Sequence, residues 1–105
     1  MQFVTMETGV GEGPDQQVVK LHENAWTRLA QVTLRNGKTL APHTAKEAVT
    51  IQCVSGSGVL VVGEERIPLA TGVIVPLEPG VLHAVEAKPA VSLLVTRFLA
   101  TTAKQ

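Results

Sequence analysis

Short runs of strand-forming residues, each broken by a turn signal, are the feature that most constrains the fold of this chain. The breaks fall at Asn36-Gly37, at Gly56-Ser57-Gly58 and at Glu78-Pro79-Gly80, among others. This pattern predicts about nine strands at a spacing of roughly ten residues, which is typical of an all-β sandwich or barrel. Helical periodicity is nearly absent, because the helix-friendly stretch 44–48 is too short to be stable alone.

The predicted strands differ in the number of apolar faces that they present. Val59–Val62 is apolar on both faces, so one face would line a barrel interior and the other would pack on a second sheet or a second subunit. Pro42 cannot donate a ladder hydrogen bond, which predicts a sheet edge or a strand end at that position. The nine predicted strands are 18–21, 26–35, 39–43, 49–54, 59–62, 66–69, 73–75, 81–86 and 90–99.

The predicted strands belong to one domain. A chain of 105 residues is long enough for one domain and too short for two. The glycines at 9, 11 and 13, followed by Pro14, predict a flexible N-terminal arm over residues 1–17. A phosphate-binding loop is disfavoured there, because no helix pattern follows. We expect residues 18–100 to form the barrel and residues 101–105 to be a frayed tail.

Charge and composition exclude several classes of function. Nine basic and nine acidic residues give a formal net charge of zero, whereas a nucleic-acid binder would show a basic excess. No apolar run approaches the length of a membrane span, and the first residues do not have the pattern of a signal peptide. We therefore expect a cytoplasmic protein with no nucleic-acid or membrane partner. Zero net charge and two-faced apolar strands predict a twofold homodimer.

Two histidine-containing segments carry the most specific signal in the sequence. The first has Gly37, then Pro42-His43, and then Gly56; the second has Gly72, then Pro79-Gly80, and then His83. This glycine, proline and histidine frame resembles the two motifs of the cupin superfamily and covers roughly residues 29–98. The resemblance implies a jelly-roll (double-stranded β-helix) barrel, a fold that pairs its strands in two sheets.

The resemblance also implies which positions would bind a metal. Cupins usually hold their metal with three histidines and one glutamate. In this chain those positions are occupied by His43, Ala45, Val49 and His83, so only two of the four ligands are present. Two imidazoles are a weak site for a divalent ion such as Fe, Zn, Ni or Mn, since such sites typically take at least three protein ligands.

Strand parity offers Glu47 as the third metal ligand. Residues 43, 45, 47 and 49 share one face of an extended strand, although that parity fails if the chain bends between 44 and 46. The same parity places Ile51 and Cys53 on the wall of the barrel. Cys53 is the only cysteine, which rules out an internal disulfide. Its thiolate could bind a soft metal, but a free cysteine usually acts as a small apolar filler.

Three functions remain open from the sequence. The first is the binding of a small organic ligand in the barrel, with His43 and His83 as polar anchors and Ala45, Val49, Ile51 and Cys53 on the wall. The second is a metal-dependent enzyme of oxygenase or isomerase type, with His43 and His83 as ligands and Glu47 or water completing the metal shell. The third is a structural protein that has lost its site. We rank them in that order. The missing glutamate and histidine ligands count against the second, and the retention of two histidines counts against the third, because buried histidine is unfavourable unless it has partners.

Other side chains give weaker indications. We expect His22 at the surface, since it lies outside both motifs. We expect Trp26, the only tryptophan, to pack in the core. The four arginines are scattered along the chain, and we expect at most one of them to face the cavity.

Overall fold

The computed structural model describes residues 2–99, and seven antiparallel strands make up the fold of that part of the chain. No helix long and apolar enough to cross a membrane is found among these residues. The all-β prediction is confirmed. The strands are β1 (Gln16–Glu23), β2 (Thr27–Leu34), β3 (Thr39–His43), β4 (Ala48–Val62), β5 (Glu65–Leu69), β6 (Ile74–Leu77) and β7 (His83–Phe98).

Two long strands, β4 and β7, form the centre of the fold and belong to both of its layers. In one layer the second half of β7 lies between β2 and the first half of β4, with β1 and β6 at the edges. In the other layer the first half of β7 pairs with β3, and the second half of β4 pairs with β5. The two strands therefore bend together, and the bend folds one continuous sheet into the two layers of a barrel.

The bend explains why seven strands are observed where about nine were predicted. Gly56 and Lys88-Pro89 were expected to end strands, but β4 and β7 continue through them. The register shifts between Cys53 and Ser55 and again between Gly56 and Gly58, so bulges absorb the change of direction. Gly56 has a φ of 81°, which glycine adopts without strain. Residues 88–90 lie outside the ladder, where the missing N–H of a proline removes no pairing.

The turn at Asn36-Gly37 forms as predicted, but it does not make a hairpin. Both residues have positive φ (58° and 70°), and Lys38 N–H donates to Arg35 C=O at 3.1 Å. The strands on either side, β2 and β3, do not pair with each other, because β3 pairs with β7 in the other layer. The chain crosses from one layer to the other at this turn. Its start is fixed by a contact with a distant segment, in which Arg35 N–H donates to Asp15 C=O at 2.7 Å.

The core lies between the two layers and consists of apolar side chains from five strands. It includes Leu34, Val49, Ile51, Cys53, Leu60, Leu69, Leu77, Val85, Ala87, Val91 and Leu93. Trp26 is not among them. It is 65 % exposed in the turn between β1 and β2, so the prediction of core packing is wrong. That turn is built around Asn24, whose Oδ1 accepts from the backbone N–H groups of Trp26 and Thr27 at 2.8 Å.

The N-terminal arm lies against the outside of β2. The Arg35 guanidinium donates to Val10 C=O at 2.7 Å and to Pro14 C=O at 2.7 Å. The Gln31 side chain donates to Glu7 C=O at 2.7 Å and to Ser92 Oγ at 2.8 Å. The first strand begins at Gln16, two residues before the predicted start of the barrel. The predicted tail, 101–105, lies outside the described residues.

Candidate functional site

The barrel encloses a cavity of about 410 Å³ between its two layers. Apolar side chains form most of its wall, and the polar side chains lie in two groups: the two histidines with Thr44, and a charged group on β1, β2 and β7. A largely apolar cavity with a few converging polar groups is the usual form of a small-molecule site. The apolar wall consists of Val18, Ala30, Val32, Leu40, Ala45, Val49, Ile51, Val85, Leu93 and Val95.

The structure brings His43 and His83 together, although they lie 40 positions apart in the sequence. They are Cα partners in the ladder between β3 and β7. Their ring centroids lie 4.3 Å apart, with the ring planes inclined at 56°. Both rings line the cavity. His83 is only 5 % exposed, whereas His43 is exposed at the edge strand, so the pair runs from the mouth into the interior.

Backbone contacts fix the tautomer of each ring. Nδ1 of His43 lies 3.1 Å from Ala41 C=O, and Nδ1 of His83 lies 3.0 Å from Val81 C=O. A carbonyl oxygen can only accept a hydrogen bond, so each Nδ1 carries the proton. Each Nε2 then keeps its lone pair in the neutral ring. The pair can therefore present two acceptor nitrogens to a ligand, or two donor atoms to a metal.

Burial lowers the pKa of His83, and the nearby charge of a protonated His43 acts in the same direction. The hydrogen bond to Val81 C=O opposes this shift. The neutral form of His83 is thus favoured, which preserves the lone pair on Nε2 at neutral pH.

The residues around the two imidazoles do not form a conventional metal site. Within residues 2–99, no three His, Cys, Asp or Glu side chains lie close enough to hold one ion. Ala45 and Val49, at the other two positions of the motif, line the cavity with apolar side chains. Two nitrogen ligands fall short of the three or more that zinc and iron sites usually take from protein.

The structure does not bring Glu47 to the histidines. Strand β3 ends at His43 and β4 begins at Ala48, so Glu47 lies in a connection where strand parity does not apply. Its carboxylate instead accepts a hydrogen bond from Nη2 of Arg97 at 2.8 Å. That hydrogen bond holds the pKa of Glu47 below its usual value. The side chain acts as the counter-ion of an arginine.

Three of the four predicted apolar positions lie on the cavity wall, and two of those three also belong to the core. Ala45, Val49 and Ile51 line the cavity, whereas Cys53 does not. Cys53 is fully buried and its thiol donates weakly to Ser55 C=O at 3.7 Å. Burial raises the pKa of this thiol, so the thiolate that a soft metal needs is disfavoured. Cys53 fits the role of an apolar filler.

The largest departure from the sequence-based expectation is a charged group on the cavity wall. Two arginines line the cavity where at most one was expected: Arg28 on β2 and Arg97 on β7. Lys20 and Glu23, on the edge strand β1, line it as well. Glu23 contacts Lys20 at 3.3 Å and Arg28 at 3.1 Å. The hydrogen bond from Arg28, and to a smaller extent that from Lys20, lowers the pKa of Glu23.

A signal for the two arginines was present in the alternation of the strands. Arg28 shares its face of β2 with Ala30 and Val32, and Arg97 follows Leu93 and Val95 at alternate positions. The pairing of β2 with β7 sets Arg28 opposite Arg97. Only that pairing, which is not local in sequence, shows that both guanidinium groups reach one cavity.

Comparisons with known proteins identify the fold but not the activity. No family model matches the chain, and no curated protein matches its sequence. Solved structures do match it. A cupin superfamily protein from Desulfitobacterium hafniense superposes with a TM-score of 0.76 at 14% identity, over 85% of this chain and 84% of that one. An RmlC-like cupin with a double-stranded β-helix fold from Methanocaldococcus jannaschii gives a TM-score of 0.77 at 14% identity, over 93% and 90% of the two chains.

An enzyme is also among the similar structures. A variant of salicylate 1,2-dioxygenase from Pseudoaminobacter salicylatoxidans, in complex with gentisate, gives a TM-score of 0.74 at 18% identity. The match covers 81% of this chain and 25% of that one. The resemblance noted in the sequence is thus confirmed as to the fold: the chain has the double-stranded β-helix of cupin proteins. This fold supports many activities, so it does not assign one.

Proposed function

We propose that this protein binds a small organic molecule in its barrel, with His43 and His83 as polar anchors. The observation that carries the proposal is the cavity of about 410 Å³ whose apolar wall is interrupted by two converging imidazoles. Because the Nδ1 atoms are engaged by backbone carbonyls, each Nε2 is the atom available to a ligand. A ligand hydroxyl or amide N–H would donate to it.

A cavity-filling variant tests this proposal directly. Ala30 lines the cavity, so Ala30→Phe should occupy the space of the ligand. Ala70 is exposed in the loop after β5, and Ala70→Phe is the matched control. We would screen a library of small organic fragments by saturation-transfer NMR. Saturable binders that are lost in Ala30→Phe and kept in Ala70→Phe support the proposal. Binding that survives Ala30→Phe places the ligand elsewhere and contradicts it.

The role of His83 can be separated from its structural contact. In His83→Asn the side-chain amide can still donate to Val81 C=O, but the atom equivalent to Nε2 is absent. We expect this variant to fold with a melting temperature close to that of the wild type and to bind fragments more weakly. Unchanged binding in a folded His83→Asn protein would exclude the histidine as an anchor.

The second candidate function is a metal-dependent enzyme that uses His43 and His83. The two imidazoles favour it, because their Nδ1 atoms contact backbone carbonyls and leave Nε2 for a metal, while the absence of a third nearby ligand among the described residues disfavours it. Elemental mass spectrometry of untagged protein, purified without chelators, is the test. Stoichiometric Fe, Zn, Ni or Mn would move this candidate to first place. A metal-free protein, unchanged after soaking in those ions, would remove it.

We also propose that the protein is a twofold homodimer. Large apolar side chains stay exposed on the described part of the chain, including Ile74 (57 %), Leu82 (56 %) and Phe98 (43 %). Within residues 2–99, strand β1 pairs only with β2, so its other edge can pair with a strand of a second subunit. Size-exclusion chromatography with light scattering decides the matter. A monomer at every concentration tested would refute the dimer.

A further inference from the structure

The two arginines on the cavity wall face each other directly. Arg28 and Arg97 are Cα partners in the ladder between β2 and β7, and both line the cavity. Like charges directly opposite each other in an antiparallel sheet are unfavourable. Such a pair persists when an anion lies between or beside the two groups.

Carboxylates of the protein bind only some of the N–H donors of these two arginines. Arg28 is bound through Nη2 to Glu23 at 3.1 Å, and Arg97 is bound through Nη2 to Glu47 at 2.8 Å. The Nε atoms of both arginines are buried and have no hydrogen-bond partner within residues 2–99. A guanidinium has five N–H donors, and most of those on Arg28 and Arg97 remain unused.

The other two arginines show what a satisfied guanidinium looks like in this fold. Arg66, outside the cavity, donates through both Nη atoms to the Glu86 carboxylate, at 2.8 and 3.3 Å. Arg35 uses Nε, Nη1 and Nη2 to hold the N-terminal arm. Neither has a buried, unpartnered Nε. The buried, unpartnered Nε atoms therefore belong to the two arginines that line the cavity.

The charged side chains around the cavity carry one net positive charge. Lys20, Arg28 and Arg97 contribute three positive charges, and Glu23 and Glu47 contribute two negative ones. A single anionic group of the ligand would balance them. A carboxylate matches both this charge and the planar fork of a guanidinium. A phosphate carries nearly two charges near neutral pH and fits the balance less well.

We propose that the ligand is a small monocarboxylic acid with an aliphatic body, whose carboxylate is bound between Arg28 and Arg97. The body lies against the apolar wall, which has aliphatic side chains and no aromatic ring other than the two imidazoles among the described residues. This inference rests on the proposed function, because it names the ligand class of the same cavity.

Matched acid and amide probes test the inference on the wild-type protein. Cyclohexanecarboxylate and cyclohexanecarboxamide have nearly the same shape and differ in charge. Their affinities would be measured by isothermal titration calorimetry at constant ionic strength and neutral pH. We expect the acid to bind at least about tenfold more tightly, since hydrogen bonds to charged groups are roughly twice as strong as neutral ones.

Arginine variants then locate the anion. Arg28→Met and Arg97→Met should each reduce the affinity for the acid about tenfold or more, and should leave the affinity for the amide nearly unchanged. Arg66→Met is the matched control, because it also removes a salt bridge of 2.8 Å but lies outside the cavity. Melting curves of all three variants establish that they are folded.

Each outcome separates this inference from the function on which it rests. Equal affinities for acid and amide, lost in Ala30→Phe, would refute the carboxylate site and keep the binding function. A preference for the acid that survives both Arg28→Met and Arg97→Met would also refute it. If neither probe nor any fragment binds, both proposals fail. The comparison of acid with amide needs no variant, so it stands even if the arginine variants fail to fold.

Discussion

The bend of β4 and β7 makes a sharp prediction about three glycines. Gly56 has a φ of 81°, and a Cβ at this position would clash with Ala90 C=O and would lie 3.0 Å from the Val10 side chain. Gly58 has no positive φ, but its Cβ would lie 2.5 Å from Glu86 C=O. Gly63 has a φ of 61° and would meet no atom within 4 Å. The three positions separate backbone strain from steric clash.

The expected losses of stability follow from these geometries. Gly63→Ala should cost about 1 kcal/mol, the strain of a left-handed alanine. Gly58→Ala should cost about 1–3 kcal/mol, because backbone atoms must move to admit the methyl group. Gly56→Ala carries both penalties and should cost about 3 kcal/mol or more. For a domain of this size each kcal/mol lowers the melting temperature by roughly 5 °C.

Thermal and urea unfolding of the three variants, followed by circular dichroism, would measure these differences. We expect the smallest loss of melting temperature for Gly63→Ala, a larger loss for Gly58→Ala, and the largest, roughly 15 °C, for Gly56→Ala. Equal losses for Gly56→Ala and Gly63→Ala would refute the reasoning. They would mean that the close approach of β4 to β7 at the bend does not constrain the fold.

Three further predictions concern single side chains. The pKa of His83 is lower in the folded protein, so below about pH 6.5 the unfolded chain binds more protons than the folded one. The melting temperature should therefore fall as the pH drops below that value. A His83→Asn variant with the same pH dependence would contradict this prediction. Cys53 is fully buried with a raised pKa, so Ellman's reagent should label it only in urea, and fast labelling of the native protein would show that it is accessible. Trp26 is 65 % exposed, so its emission should be that of a solvated indole and should be quenched by acrylamide; a blue-shifted, protected emission would mean that the residue is covered, as in a dimer.

The sequence by itself determined the fold class and the histidine pair. Alternating strands and frequent turn residues are local signals, and an all-β barrel follows from them without knowledge of the pairing. The glycine and proline frame around His43 and His83 was specific enough to relate two distant segments. Ala45 and Val49 followed from the same frame and Ile51 from strand parity, and all three line the cavity.

Tertiary structure decided the features that depend on which strands are neighbours. Gly56 and Pro89 look like strand ends in sequence, but β4 and β7 bend together and keep one ladder across them. Glu47 shares the parity of His43, yet the connection between β3 and β4 turns it toward Arg97.

Strand pairing decided that the two arginines of the cavity wall meet. Arg28 and Arg97 lie 69 positions apart in the chain, and no local pattern relates them. They become neighbours because β2 pairs with β7 in one particular register. A shift of that register by one residue would turn one of the two side chains to the opposite face of the sheet. The long-range ladder, rather than either segment alone, creates the pair of guanidinium groups in the barrel.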